Sequence, residues 1–224
     1  MRILEIFCGT KSFTKVWEGE AEIITIDIMK KFKPTIVADL LTFDYKEHFK
    51  PGEFDIIWSG TPCNTFSNAY NRPGQLEKRD RIGRPLLHKT LEIIDYLKPK
   101  LWFIENPDSG AMKREDCMKD LPYYICDYCK YDYPYRKRTR IWTNLKGWKP
   151  KMCAYDCPMT QPGKKKHKYK LCSFNSRNKD WSPDALGYEV LKGFGTKKED
   201  RYSMPPLLIQ EIKSVCLEQF TTKA

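Results

Sequence analysis

The chain has 224 residues, enough for one sizeable core and at most a small appendage. Apolar residues make up 41% of it, and 40 basic against 29 acidic side chains give a formal charge of +11. No run approaches the ~20 apolar residues of a membrane span, which excludes a helical membrane protein. The positive excess suits a polyanionic partner, and equally a lysine-rich solvated surface. The opening residues Met1–Ile6 pass straight into a strand-like run containing Glu5, unlike an export signal. A soluble, intracellular chain is therefore expected, with its nine cysteines as thiols.

In chain order, Ile3–Phe7 reads as a buried strand ending at Cys8-Gly9-Thr10, and Ser12–Trp17 can start a helix. Ala21–Asp27 and Thr35–Asp39 read as two further strands, each closing on an acid. Phe54–Ser59 is a fourth, stopped by Gly60-Thr61-Pro62. Arg84–Leu97 has helical spacing, with Leu87, Leu91, Ile94 and Leu97 on one face, and Pro99 ends it. Leu101–Ile104 is a fifth strand, ending at Glu105-Asn106-Pro107. Residues 145–200 lose this periodicity and are rich in Lys, Pro, Cys, Trp and Gly. Patterning returns at Pro205–Ile209, with Ile212 and Val215 at helical spacing.

Short strands alternating with helices predict an α/β fold: a doubly wound, mostly parallel sheet covered on both faces. The domain expectation is 1–144 for the main unit, 145–200 for a small irregular insert, and 201–224 for a return to the main unit. Ligands of such sheets bind at the carboxyl ends of the strands. Gly9, Asp27, Asp39, Cys63 and Glu105 all fall near those ends.

Four segments carry chemistry. Cys63, in a turn after a hydrophobic strand, can be a nucleophile if its thiolate is favoured. Glu105, beside Trp102 and Phe103, can serve as a general acid. Arg136, Arg138 and Arg140 alternate, so a strand puts them on one face, where forked guanidinium groups can hold phosphate or a carbonyl oxygen. Gly9 lets the chain turn sharply and a ligand approach the backbone. Taken singly, each has a bland explanation: a passive loop thiol, a turn-capping acid, a solvated basic strand, an ordinary turn.

Their order is more informative. With Glu5-Ile6-Phe7-Cys8-Gly9, Pro62-Cys63 with Phe66-Ser67, Glu105-Asn106, Arg138-Thr139-Arg140 and Tyr202-Ser203-Met204-Pro205-Pro206, the chain resembles the cytosine-C5 DNA methyltransferases. The resemblance is to small phage or large-virus members, over nearly all of the chain outside the insert. It implies a Rossmann-like S-adenosylmethionine-dependent fold. It implies Cys63 as the nucleophile adding to C6 of cytosine, and Glu105 at N3. Arg140 would hold the O2 carbonyl, and Arg138 would support the nucleophile loop. The cofactor is expected on Phe7, Gly9, Thr10, Asp27 (ribose), Ile28, Asp39 (adenine amino group), Leu40, Pro62 and Asn106, the last also steadying the nucleophile loop. Double-stranded DNA with a flipped base is the expected substrate, RNA of the transfer-RNA type the alternative, and an inactive nucleic-acid-binding relative a third reading. A monomer away from membranes is expected, with residues 145–200 reading the target.

The chain departs from the family pattern at Lys11 and Ser12, where glycines are usual. It departs also at Asn64 and Arg136, where Gln is usual, and at Arg201-Tyr202-Ser203 in place of a Gly-Asn-containing closing motif. No metal is assigned. Cys153, Cys157, His167 and Cys172 are the set that would hold zinc if one were bound, with Cys126 and Cys129 upstream expected to alternate along a strand.

Overall fold

A computed structural model describes residues 1–67, 74–168 and 202–222. Seven strands form one sheet: β1 Arg2–Ile6, β2 Glu22–Asp27, β3 Ile36–Val37, β4 Ile56–Ser59, β5 Leu101–Pro107, β6 Tyr123–Asp127 and β7 Arg138–Thr143, in the order β3-β2-β1-β4-β5-β7-β6. The first five strands pair in parallel, while β7 lies antiparallel between β5 and β6. Helices α1 Tyr45–His48, α2 Gln75–Lys78, α3 Arg84–Leu97, α4 Asp116–Lys119 and α5 Pro206–Thr221 complete the fold. The mostly parallel doubly wound sheet agrees with the fold expected from the sequence.

Strand parity explains the two layers. Ile3, Trp58, Phe103 and Ile141 face one way and pack with Phe13, Trp17 and the α5 residues Leu208, Ile209 and Ile212. Leu4, Ile57, Ile104 and Trp142 face the other way, onto Leu87, Ile94 and Leu97 of α3. Leu87 is wholly buried, a burial worth about 1.5–3 kcal/mol. Helix α3 begins with Pro85 in its first turn and ends where Lys98 turns left-handed at φ +49°, its N–H returning to the Ile94 carbonyl.

Several expectations shift in detail. The third strand shrinks from Thr35–Asp39 to Ile36–Val37, because it is an edge strand with few apolar contacts. The helix expected from Ser12 is one 3₁₀ turn, Thr14–Trp17. Strand β5 runs on to Pro107, so Glu105 and Asn106 lie inside it rather than beyond it. Leu145 and Trp148, at the start of the irregular stretch, are buried in the α5-side core. Residues 169–200 of that stretch, Cys172 among them, and Arg201 lie outside the described residues. No helix among the described residues is long and apolar enough to cross a membrane.

Candidate active site

Strand order reverses between β1 and β4, the switch point where doubly wound sheets leave a crevice at their carboxyl edge. A cavity of about 350 Å³ opens there. Its wall combines Glu5, Phe7, Gly9 and Thr10 from β1 and its loop, Asp27 and Ile28 from β2, Pro62 and Cys63 after β4, Glu105 from β5, then Lys137 and Met204. The nucleophile loop and the loop expected to hold the cofactor thus share one cavity.

The β1 loop is tightly wound. Phe7, Gly9 and Lys11 all take left-handed φ values, +55°, +46° and +58°, a concentration of strain that surrounding contacts must hold in place. Asp27 supplies one such contact, its carboxylate accepting the Gly9 N–H at 2.9 Å and the Met29 N–H at 2.8 Å. Gly60 allows β4 to pass close by, since a Cβ there would lie 3.3 Å from the Phe7 carbonyl oxygen. Ser12 Oγ meets Thr10 Oγ1 at 2.8 Å and accepts the Met204 N–H at 3.1 Å, tying the closing motif to this loop.

Glu5 went unnoticed in the sequence as a site residue. It is 3% exposed, lines the cavity, and accepts the Thr14 hydroxyl and N–H at 2.5 and 3.3 Å. Burial outweighs these hydrogen bonds and pushes its carboxyl from 4.5 up to about 7. Its sequence signals were a carboxylate inside an apolar strand and its place at the head of the Glu5–Gly9 block.

Cys63 opens a 3₁₀ turn, Cys63–Thr65. Thr65 Oγ1 donates to the Pro62 carbonyl at 2.8 Å, and Gln75 Nε2 donates to the carbonyls of Asn64 and Thr65 at 2.9 and 3.3 Å. From β5, Asn106 Nδ2 donates to the Thr61 carbonyl at 3.1 Å. Asn106 therefore steadies the loop that carries Cys63, and it does not line the cavity. Burial raises the Cys63 thiol, the Lys137 ammonium opposes this, and the Glu105 carboxylate adds to it. Cys8, also in the wall, is pushed by burial up to about 12, with Glu5 and Asp27 adding to the rise. At Cys8 the two carboxylates outweigh the opposing Lys11 ammonium, whereas at Cys63 the Lys137 ammonium is the largest influence after burial.

Lys137 was also missed. Its ammonium lies 3.7 Å from Glu105 Oε1 and 4.9 Å above the Tyr128 ring, while the Tyr128 hydroxyl reaches Glu105 at 3.5 Å. The sequence drew attention to the alternating arginines, but Lys137 lies between them and so takes the opposite face.

That parity also decides which face the arginines occupy. Strand register pairs Asn106 with Arg140 and Glu105 with Ile141, so Arg138 and Arg140 share the face away from Glu105. Arg138 forks onto Asp127 at 2.9 and 3.1 Å, with Arg136 beside it at 3.2 Å. Arg140 donates to Asp108 at 2.8 Å and stacks 3.8 Å over the Tyr123 ring. Neither Arg138 nor Arg140 lines the cavity, and Arg138 bonds Asp127 instead of the nucleophile loop. Nor do Asp39 and Leu40 line it: Asp39 caps the Leu41 N–H at 3.0 Å, and Leu40 is buried in the α3-side core.

Comparison with known proteins settles the family. The description "C-5 cytosine-specific DNA methylase" matches residues 1–121. The chain belongs to this family. It is 36% identical to the "Probable DNA (cytosine-5)-methyltransferase" of Frog virus 3 (isolate Goorha), over 96% of this chain and 100% of that protein. The solved Entamoeba histolytica methyltransferase EhMeth superposes with a TM-score of 0.56 over 98% of each chain at 14% identity, a likeness of fold alone. Membership makes the chain a DNA cytosine-C5 methyltransferase and gives the shared cavity its meaning.

Proposed function

We propose that the chain transfers a methyl group from S-adenosylmethionine to C5 of a cytosine flipped out of duplex DNA, through a covalent adduct on Cys63. The observation that carries this reading is the single cavity shared by Cys63, Glu105 and the Phe7–Gly9 loop. Its donor set suits the cofactor. Phe7, Ile28 and Met204 offer apolar surface for an adenine and a methionine chain, while Glu5 and Asp27 offer carboxylates for ribose hydroxyls and a positive centre. When bound, S-adenosylmethionine supplies an electrophilic methyl on a sulfonium.

The residues present do the rest. Cys63 gives up its proton and bonds to C6, which leaves C5 rich in electrons. Lys137 favours the thiolate by its charge, and Glu105 supplies a proton or hydrogen bond at N3, draining charge from the ring. C5 takes the methyl group, its proton is then lost, and the C6–sulfur bond breaks to free Cys63. Asn106, Thr65 and Gln75 hold the loop so that Cys63 is placed before the base arrives. A stacked base cannot reach this position, so the substrate base is extruded. The formal charge of +11 favours the phosphate backbone.

Duplex DNA carrying 5-fluorocytosine in varied contexts tests this, because fluorine at C5 blocks release of Cys63. With S-adenosylmethionine present, a denaturing gel is expected to show a protein–DNA band that vanishes in Cys63→Ser. A band on similarly substituted RNA but not on DNA would overturn the choice of substrate. A band that persists in Cys63→Ser would overturn the nucleophile.

A further inference from the structure

Away from the cavity, four soft donors meet. Cys129, Cys153, Cys157 and His167 are all buried, and their ligand atoms lie within 4.8 Å of one another. The imidazole Nε2 of His167 is 3.4 Å from Cys153 Sγ and 3.3 Å from Cys157 Sγ. None of the three cysteines is in a disulfide, and an odd trio could not pair off completely. Tetrahedral zinc, with Zn–S about 2.3 Å and Zn–N about 2.0–2.1 Å, places its donors roughly 3.5–3.8 Å apart. The two His167–sulfur distances are close to that spacing, and no pair exceeds it by more than about 1 Å.

The backbone is shaped for such a centre. Tyr155 takes a left-handed φ of +68° between Cys153 and Cys157, and its N–H points at Cys153 Sγ, 3.3 Å away. Thr160 Oγ1 lies 3.4 Å from Cys157 Sγ, and the Thr160 N–H returns to the Cys157 carbonyl at 3.0 Å. Contacts of this kind orient and stabilise metal-bound thiolates. His167 is carried back by a small turn in which Thr160 bridges His167 and the Lys168 N–H reaches the Met159 carbonyl.

We propose that Cys129, Cys153, Cys157 and His167 bind one zinc ion in a closed structural site. It fastens residues 151–168 to the 3₁₀ turn that follows β6. Four protein donors leave no open position for a substrate, so the ion holds structure and does no chemistry. Binding deprotonates the three thiols and releases their protons to solvent. The centre also abuts the arginine array. Asp127, wholly buried, accepts the Cys153 N–H at 2.9 Å and pairs with both Arg136 and Arg138. Tyr155 lies 5.2 Å under the Arg136 guanidinium. The metal would therefore fix the backbone that Asp127 uses to hold these arginines.

The test is the metal content of the whole chain purified without chelator and under reducing conditions. About one zinc per chain is expected, and cobalt exchanged into the same protein should show the intense visible bands of a tetrahedral thiolate site. Cys157→Ser and His167→Asn are each expected to lower the metal content at least tenfold, while Cys117→Ser, on α4, keeps it. Cobalt spectra of the unmutated chain remain decisive even if the variants do not fold. The proposal is overturned by less than about a tenth of an equivalent of zinc after reconstitution, by cobalt lacking thiolate bands, or by full metal content in Cys157→Ser.

Discussion

Replacing Glu5 by Gln tests the electrostatics of the cofactor cavity, because the amide keeps an acceptor for the Thr14 hydroxyl but cannot ionise. Burial raises the Glu5 carboxyl from 4.5 to about 7. At ~1.4 kcal/mol for each tenfold change in proton affinity, the ionised side chain costs the fold about 3 kcal/mol. The sign follows from the direction of the rise. The folded chain holds this proton more tightly than the unfolded chain does, so the stability it confers is complete below 4.5, falls as pH climbs, and is gone above about 7. The unmutated protein should thus lose about 3 kcal/mol relative to Glu5→Gln between about pH 4.5 and 7.5, or roughly 6 to 12 °C in Tm. Urea unfolding of both proteins across that window measures it, and other titrating groups cancel in the difference. Parallel pH profiles would refute the argument. Because Glu5 lines the cavity, a bound sulfonium favours its ionised form. S-adenosylmethionine binding near about pH 6 should therefore release a proton from the unmutated chain and not from Glu5→Gln, read by calorimetry in buffers of different ionisation enthalpy.

Three further outcomes follow from contacts around Cys63. A Cβ at Gly83 would stand 2.8 Å from the Cβ and Oγ1 of Thr65 and 3.3 Å from the Phe66 ring. Gly83→Ala should therefore displace the nucleophile turn and cut kcat by about ten- to a hundredfold, with cofactor Kd within about twofold; an equal loss in both would contradict this. Asn106→Ala leaves the buried Thr61 carbonyl without its donor, at a cost of about 1–3 kcal/mol in denaturant unfolding and with a lower kcat. Lys137→Met removes the cation that opposes the rise at Cys63, so the pH midpoint for alkylation of Cys63 should move up; an unmoved midpoint would separate Lys137 from the thiol.

Where burial on both faces makes a segment continuously apolar, the sequence was easy to read. Strands β1 and β4 were found within a residue or two for this reason, and helix α3 was found by its helical spacing of apolar residues; each ends on Gly, Pro or a left-handed residue. Cys63 and Glu105 drew attention because they sit at the ends of such runs, and the fold brings both to one cavity. What depends on register was not. Alternation of Arg138 and Arg140 could be read locally, but the face they occupy is set by Asn106 pairing with Arg140 across β5 and β7. Sequence spacing cannot report that pairing. Cys129 was expected on a strand with Cys126. Strand β6 instead stops at Asp127, and a 3₁₀ turn swings Cys129 out towards Cys153, while Cys126 stays in the α5-side core.

The departures from the family pattern find physical counterparts in the fold. A glycine is usual where Lys11 stands, and Lys11 adopts the left-handed backbone that a glycine would take, at φ +58°. That conformation costs a non-glycine residue about 1 kcal/mol or more. Its N–H bonds the Cys8 carbonyl at 2.7 Å, which helps to offset the strain. Ser12, the second departure, adds something a glycine could not. Its hydroxyl accepts the Met204 N–H and so couples the loop after β1 to a segment 192 positions away. Lys213 of α5 adds a second tie, donating to the Val16 carbonyl at 2.8 Å and pairing with Glu20 at 2.6 Å. A glycine-rich loop gains its shape from backbone freedom. Here the Ser12 side chain ties the loop to the backbone just before α5, and Lys213 of α5 ties down the turn that follows the loop, so the segment around Met204 closes the cavity that the first strand begins.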